Sequence, residues 1–236
     1  MNDIDILGLY FKGEELKNAI KEYENGTPAA YIIGEWEFFG DRYLLNKDCL
    51  IPRCDTERLV ETVISKLPEN AYMADLCTGS GCVIISSLKR CPSSRGVAYD
   101  ISKGAIDIAK KNAEINGVYD RADFVCQDIF SLELPKDYFD VIASNPPYIM
   151  SKDMPSLDEY VKKEPSIALD GGIDGMDFYK HIVSSYKNCL KENGSFIFEI
   201  GYDQEDLINS LAKEHNFECT VKKDYSGNPR VAILQK

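Results

Sequence analysis

Three things are scarce in this 236-residue sequence: histidine, paired cysteines and positive charge. There are two histidines, His181 and His215, and one tryptophan. The eight cysteines, Cys49, Cys54, Cys77, Cys82, Cys91, Cys126, Cys189 and Cys219, never form a CxxC pair. A thiolate zinc site announces itself by closely spaced ligand pairs, so no metal centre is expected. The cysteines read as reduced, small apolar residues, Cys126 within ADFVCQD among them. Lys and Arg number 27 against 39 Asp and Glu, a formal net charge of −12. Affinity for nucleic acid comes largely from cationic neutralisation of phosphates, so direct nucleic-acid binding is not expected. No apolar run approaches the ~20 residues that cross a bilayer. The acidic start MNDIDILGLYFKGEELK lacks the basic region and apolar core of a signal peptide. A soluble, cytoplasmic protein without a membrane partner is expected.

What is present points to a globular chain, with 44% hydrophobic and 28% charged residues. Residues from about Asp3 to Glu24 read as one or two short helices, stopped by Asn25-Gly26-Thr27-Pro28. The stretch Tyr31 to Leu45 is rich in aromatic and β-branched residues around Gly40-Asp41, and predicts a β-hairpin. Asp55-Thr56-Glu57 opens a helix running to about Leu67. Three segments follow from this: a short helical piece over 1–27, a hairpin linker over 28–54 and a large domain over 55–236. In the last, apolar runs alternate with helical segments: AYMADLC, RGVAYDI, ADFVCQD, FDVIASN, SFIFEI, ECTVKKD and RVAILQ. That alternation predicts an α/β fold with a seven-stranded, mostly parallel sheet. Only YSGNP joins the last two runs, too short for a parallel crossover, so the last strand is antiparallel.

Asp75-Leu76-Cys77-Thr78-Gly79-Ser80-Gly81 follows the first strand of this domain and enters a helix. Glycines there let a ligand approach the backbone without a Cβ in the way. Asp100 ends the second strand, where an acid can accept both hydroxyls of a ribose diol. Asp128 ends the third, where the acid or its backbone can meet an adenine edge. The loop is neither GxGxxG nor GxxxxGK[ST], and no lysine reaches for phosphates. Such a loop with acidic partners suits a cationic nucleoside without phosphates, S-adenosylmethionine (AdoMet) being one, with Asp75 a candidate for its amino group. Residue type alone also leaves NAD open.

Asn145-Pro146-Pro147-Tyr148 follows the fourth strand, on the same rim. Two prolines fix φ and remove two donors, so the carbonyls of Asn145 and Pro146 project from a stiff loop as acceptors. Asn145 adds a side-chain acceptor, and Tyr148 a flat face. Two acceptors aimed at one point suit a substrate NH2 group on a planar amide or base.

The pairing of DLCTGSG with NPPY resembles class I AdoMet-dependent methyltransferases that modify planar amino or amide nitrogens. The resemblance extends through Pro28-Ala-Ala-Tyr31-Ile-Ile-Gly34, Phe38-Phe39-Gly40, Leu50 to Val60, Glu164 to Gly175, Phe198 to Gln204 and Asp224 to Val231. Together these look like the peptide chain release factor glutamine N5-methyltransferases, the HemK/PrmC family, with a shortened N-terminal region. Cys77 stands where that family has glycine. The resemblance implies the class I methyltransferase fold and the cofactor AdoMet, giving S-adenosylhomocysteine as product. It implies cofactor contacts from Cys77, Thr78, Gly79, Ser80, Gly81, Asp100, Asp128, Ile129 and Asn145. It assigns the substrate glutamine to Asn145, Pro146, Pro147 and Tyr148, and puts Phe38 and the Ile51-Pro52-Arg53 turn at the mouth of its tunnel. A more ordinary reading of Arg53 pairs it with Asp55 or Glu57, and of Phe38 packs it in the hairpin. Glu199, at the end of the fifth strand, is expected at the same rim.

No His, Cys or Lys near NPPY serves as a dedicated base, so catalysis is expected to rest on Asn145, Pro146 and Tyr148 holding the amide nitrogen. The expected protein substrate is a release factor carrying a Gly-Gly-Gln motif. The rivals are an adenine N6-methyltransferase, a glutamine methyltransferase of a ribosomal protein, and an AdoMet-binding protein without activity. Net charge counts against the first, and Cys54-Asp55-Thr56-Glu57 against the second.

Overall fold

A computed structural model describes residues 2–236; Met1, part of the expected helical piece, lies outside the described residues. Helix α1 (Asp3–Tyr10) opens on a capping box between Asn2 and Asp5. Helix α2 (Gly13–Glu24) and the short helix α3 (Ala29–Ile33) close over Leu7, Ala19 and Ala29. The α3 turn departs from the expected hairpin, which began at Tyr31. Pro28 caps its start and Gly34, at φ +79°, caps its end, so Tyr31-Ile32-Ile33 close one helical turn despite their β-forming side chains. The hairpin itself is β1 (Glu35–Phe38) and β2 (Asp41–Leu44). Helix α4 follows over Thr56–Lys66.

The large sheet contains β3 (Tyr72–Leu76), β4 (Arg95–Asp100), β5 (Ala122–Cys126), β6 (Phe139–Ser144), β7 (Leu190–Glu199), β8 (Glu218–Lys223) and β9 (Pro229–Gln235). Its order is β5-β4-β3-β6-β7-β9-β8. Strand β9 is antiparallel to both neighbours, and the other pairings are parallel. The reversal arises where Asp224 Oδ1 accepts from Ser226 N at 2.8 Å and Asn228 N at 2.9 Å, closing a turn that the short link demands. Chain order reverses between β3 and β6, so the connections leaving their carboxyl ends diverge and open a crevice.

Alternation along each strand sends side chains to two cores. Met73, Val141 and Ile197 pack with α4, α5 (Cys82–Arg90) and α6 (Lys103–Ile115). Ala74, Ile142, Phe196 and Phe198 pack with α7 (Asp177–Tyr186) and α8 (Glu205–Glu214). The expectation of apolar cysteines holds for Cys49, Cys82 and Cys189 and fails for Cys54 and Cys126, which are exposed. Cys126 is the last residue of the edge strand β5. Among the described residues no helix is long and apolar enough to cross a membrane, and no cluster of His, Cys, Asp or Glu could hold a metal ion.

One buried amide fastens the hairpin beside the crevice. Asn112 of α6 accepts from Leu44 N at 2.7 Å and donates to Leu44 O at 3.0 Å and Ser80 O at 2.9 Å. Asn112→Ala strands these groups without partners, and is expected to cost roughly 1–3 kcal/mol in urea denaturation. A loss below about 0.5 kcal/mol would mean that other contacts carry the hairpin.

Candidate active site

The crevice is walled on one side by the turn after β3. The backbone there twists through the left-handed region at Cys77 (φ +60°), Gly79 (+55°) and Gly81 (+81°). Thr78 N donates to Tyr99 O at 3.0 Å, which lays the turn against β4. Gly79 N donates to Asp100 Oδ2 at 2.9 Å and Ser102 N to Asp100 Oδ1 at 2.8 Å. Both Asp100 oxygens are thereby aimed, and each keeps lone-pair capacity. Burial raises the Asp100 pKa against those backbone donors. Gly81 does not face the cleft. A Cβ there would stand 2.8 Å from Ile85 and 3.1 Å from Ala109, so its role is close packing between α5 and α6.

Asp75 lies beneath the turn, 1% exposed. Its Oδ2 accepts from Thr78 Oγ1 at 2.6 Å and Ile84 N at 3.3 Å, while Oδ1 is buried without a partner. Burial pushes its pKa up to about 7, against the pull of Thr78 and Ile84. An orphaned carboxylate oxygen on a cleft wall suits a cationic ligand group.

Asp128, Ile129 and Phe130 form the next stretch of wall. Asp128 Oδ1 accepts from Phe130 N at 2.9 Å, holding the turn past β5. The Ile129 carbonyl is anchored by His181 Nε2 at 2.9 Å. Phe130, half exposed, packs edge-on to Phe178, and both line the cleft.

The loop after β6 forms the opposite wall. Ser144 Oγ donates to Leu76 O at 2.6 Å, knitting the two strand ends together. Asn145 Nδ2 donates to Thr56 Oγ1 at 3.3 Å. Gln204 Nε2 donates to Tyr148 O at 3.2 Å, and a Cβ on Gly171 would stand 2.6 Å from Tyr148 Cα, so that position must be glycine. The loop is therefore clamped on both flanks. Among the described residues neither Asn145 Oδ1 nor the carbonyls of Asn145 and Pro146 accept a hydrogen bond. Asn145 and Pro147 line the cleft, whereas Pro146 and Tyr148 lie outside its lining. Tyr148 is packed beneath the rim, and burial raises its phenol pKa.

Two expected placements are corrected. Phe38 does not reach the cleft: it is 2% exposed, packed edge-on to Tyr43 at 5.9 Å, because the pleat of the short hairpin turns it into the core. Arg53 pairs with neither Asp55 nor Glu57. Its partner is Glu164, which also accepts from Ile51 N at 3.0 Å. The Arg53 pairing depends on a partner 111 residues away that local sequence does not show. Pro52, expected at the mouth, lines the cleft, whereas Thr56, Ile101 and Phe178 are lining residues that sequence reasoning missed. Glu199, at the end of β7, is 1% exposed with Oε2 unpartnered. Burial lifts its pKa to about 7, opposed by the neighbouring Thr56 hydroxyl and by Arg230.

Two outcomes follow from this geometry. Cys77 holds a conformation that costs an L residue roughly 1–2 kcal/mol, and glycine relieves that while adding unfolded-state freedom of similar size. Cys77→Gly is thus expected within about 1 kcal/mol of the parent in denaturation, and the β-branched Cys77→Val well below it. Asp75 has a folded pKa above its unfolded one. The stability that its neutral form contributes is complete below the ordinary carboxylate range and lost as pH rises through about 7. Asp75→Asn should flatten the fall in ligand-free stability between about pH 4 and 8. An unchanged slope would show that Asp75 is ionised throughout.

Known proteins resemble this chain over most of its length. The family model described as Methyltransferase small domain matches residues 55–166. The release factor glutamine methyltransferase of Aquifex aeolicus is 37% identical over 219 residues, 92% of this chain and 78% of that protein. The one from Agrobacterium fabrum is 38% identical over 225 residues, 92% of this chain and 77% of its own. Among solved structures, a ribosomal protein L11 methylase from Lactobacillus delbrueckii subsp. bulgaricus superposes with a TM-score of 0.59 at 21% identity, over 85% of this chain and 90% of that one. That likeness shows the class I methyltransferase fold. With relatives this similar over nearly its whole length, the chain belongs to the release factor glutamine methyltransferase family.

Proposed function

We propose that this chain transfers the methyl group of AdoMet to the side-chain amide nitrogen (N5) of a glutamine, in the Gly-Gly-Gln motif of a peptide chain release factor. The observation that carries the reading is the pair of unengaged acceptors, Asn145 Oδ1 and the Pro146 carbonyl, on a clamped loop beside the glycine turn. The relatives' activity favours an amide over the adenine NH2 that would present the same two hydrogens.

The cofactor residues fit AdoMet by charge and shape. Asp100 offers two aimed oxygens to the ribose diol, and Asp75 its orphaned oxygen to the amino group. Cys77, Thr78, Gly79 and Ser80 form the backbone wall, and Asp128 with Ile129 the adenine end. Gly81 supports that wall from behind. AdoMet supplies, when bound, a methyl group already activated on a sulfonium.

The chain's own task is position. An amide nitrogen is a poor nucleophile because its lone pair is delocalised into the carbonyl. Asn145 Oδ1 and the Pro146 carbonyl accept its two N–H bonds and hold the lone pair toward the cofactor side of the cleft. They also stabilise the positive charge that builds on nitrogen. Tyr148 backs the loop from beneath the rim and holds it in place. The nitrogen gains a methyl and releases one proton to solvent, and the carbonyl is restored. In this reading 55–236 is the methyltransferase domain, and the 1–27 helices with the 28–54 segment flank the substrate side.

The direct test is mass spectrometry of purified release factor after incubation with AdoMet, with one added methyl expected on the Gly-Gly-Gln glutamine. Asn145→Ala should lower turnover by roughly 10²–10³-fold, since one preorganised acceptor is lost from the transition state. AdoMet affinity by calorimetry should stay within about threefold, because most cofactor contacts lie elsewhere. Near-parental turnover in Asn145→Ala would end the amide-clamp mechanism.

A further inference from the structure

The NPPY loop is hard to hold. Its two prolines have no N–H to donate. The carbonyls of Asn145 and Pro146 must stay free for the substrate. Among the described residues neither they nor Pro147 O accept a hydrogen bond. Tyr148 O is the first carbonyl of the loop that can be gripped without engaging a substrate acceptor. Two stretches of chain meet behind it, Gly171 to Gly175 and Phe198 to Gln204, and neither lines the cleft.

The grip on Tyr148 O is Gln204, a polar residue only 3% exposed. It stands at the N-cap of α8, where Ser, Thr, Asp or Asn usually accept from the helix amides. Its side chain makes no such cap bond and turns the other way. Nε2 donates to Tyr148 O at 3.2 Å and to Gly175 O at 3.1 Å, while Oε1 accepts from Gly201 N at 2.9 Å. Two carbonyls at one end and an N–H at the other leave this amide a single direction. The space around it is closed. A Cβ on Gly175 would stand 2.4 Å from Tyr148 O and 2.8 Å from Gln204 Nε2, and one on Gly201 3.1 Å from Gln204 Oε1. Small residues thus let two distant segments reach the amide that holds the loop.

We propose that Gln204 is a positioning residue, which sets where the Asn145 and Pro146 acceptors stand by holding the carbonyl of Tyr148. This rests on the reading of Asn145 and Pro146 as the amide clamp. Gln204 is not part of the cleft wall and acts through the loop alone. The lever is short and stiff. Pro147 lies between the held carbonyl and the Pro146 acceptor, and its ring fixes φ. A shift at Tyr148 O is therefore passed along to Pro146 O, and alignment of a reacting nitrogen is sensitive to such shifts. The other flank of the loop is fixed by the sheet itself, through Ser144 on β6. Gln204 supplies the corresponding fixed point on the far side, from a position 56 residues further along the chain.

The test uses the full chain and purified release factor, with single-turnover methyl transfer read by mass spectrometry well below the melting temperature. Gln204→Met keeps the volume and removes both donors. Its rate constant is expected to fall roughly tenfold to a hundredfold. AdoMet affinity by calorimetry should stay within about threefold of the parent. A residue that merely supported the fold would lower the melting temperature and leave the rate constant of the folded protein unchanged. Coupling gives the second readout. Because Gln204 acts through the clamp, Asn145→Ala combined with Gln204→Met should lose clearly less than the product of the two single losses. Gly175→Ala sets a methyl against Tyr148 O and should reproduce the loss in rate, which decides the matter if Gln204→Met fails to fold. A parental rate constant in Gln204→Met, or in Gly175→Ala standing in for it, overturns the proposal. So does an AdoMet affinity that falls as far as the rate, or a double variant that loses the full product. If Asn145→Ala collapses while Gln204→Met does not, only the positioning role is wrong. If Asn145→Ala is active, the clamp itself is wrong.

Discussion

Strands β3 and β6 lie side by side, and the site follows from what leaves their carboxyl ends. One connection becomes the glycine turn and the other the NPPY loop. They depart in opposite directions because the chain adds β4 and β5 on one flank and β7, β9 and β8 on the other. The hydrogen bond from Ser144 Oγ to Leu76 O ties the two ends at the point of divergence. The glycine turn and the NPPY loop are therefore set by one sheet register, in which Leu76 pairs with Ser144. A slip by one residue would send Asp75 and Asn145 to opposite faces. Because both walls spring from central strands, neither depends on a mobile segment to come into line.

Electrostatics explains how an acidic chain serves a cationic cofactor. Asp75, Asp100 and Glu199 are all held in surroundings that raise their pKa, with burial as the leading cause. Asp100 is compensated by backbone donors on both oxygens, which offset part of that rise. Asp75 is compensated on one oxygen only. In the proposed function that asymmetry divides their work. A satisfied acid is suited to neutral hydroxyls, whereas an unsatisfied one gains most from a positive charge. The same site without ligand is correspondingly less stable, the usual relation between preorganised charge and fold stability.

Much of this was legible in sequence where the signal is local. The glycine turn, the prolines of NPPY and the short link that reverses β9 each act through their own backbone. Their consequences appear in φ values and pairings at the expected places. What was not legible is pairing across the chain. Arg53 and Glu164 are 111 residues apart, and nothing near Arg53 distinguishes Glu164 from Asp55 or Glu57 as its partner. Phe38 reads as a rim residue by resemblance, and only the pleat against Tyr43 shows that it turns inward. Tyr31-Ile32-Ile33 reads as strand by propensity, and the flanking Pro28 and Gly34 override it. Thr56 reads as the start of a helix, which it is. That it also lines the cleft and accepts from Asn145 Nδ2 depends on a residue 89 positions away.

Glu164 shows how the substrate side of the cleft is assembled. It sits 5% exposed in the long segment between β6 and α7, and reaches across to Ile51 N and Arg53. Tyr31 donates to Cys49 O at 2.7 Å from the other flank of the same turn. Tyr23 of α2 stacks on Tyr160 at 5.2 Å, a short way before Glu164. The N-terminal helices, the 49–53 turn and the segment after NPPY are thus bound into one wall. That wall carries Pro52, Ile167 and Ala168 over the cleft. A buried carboxylate bound by both a backbone N–H and a guanidinium is directional, so it fixes the spacing between those elements and not merely their contact. In the proposed function, substrate access belongs to this bridge and chemistry to the β3–β6 rim. Substitutions at Glu164 and at Asn145 act on different elements of the fold, and on that proposal separate entry of the glutamine from its methylation.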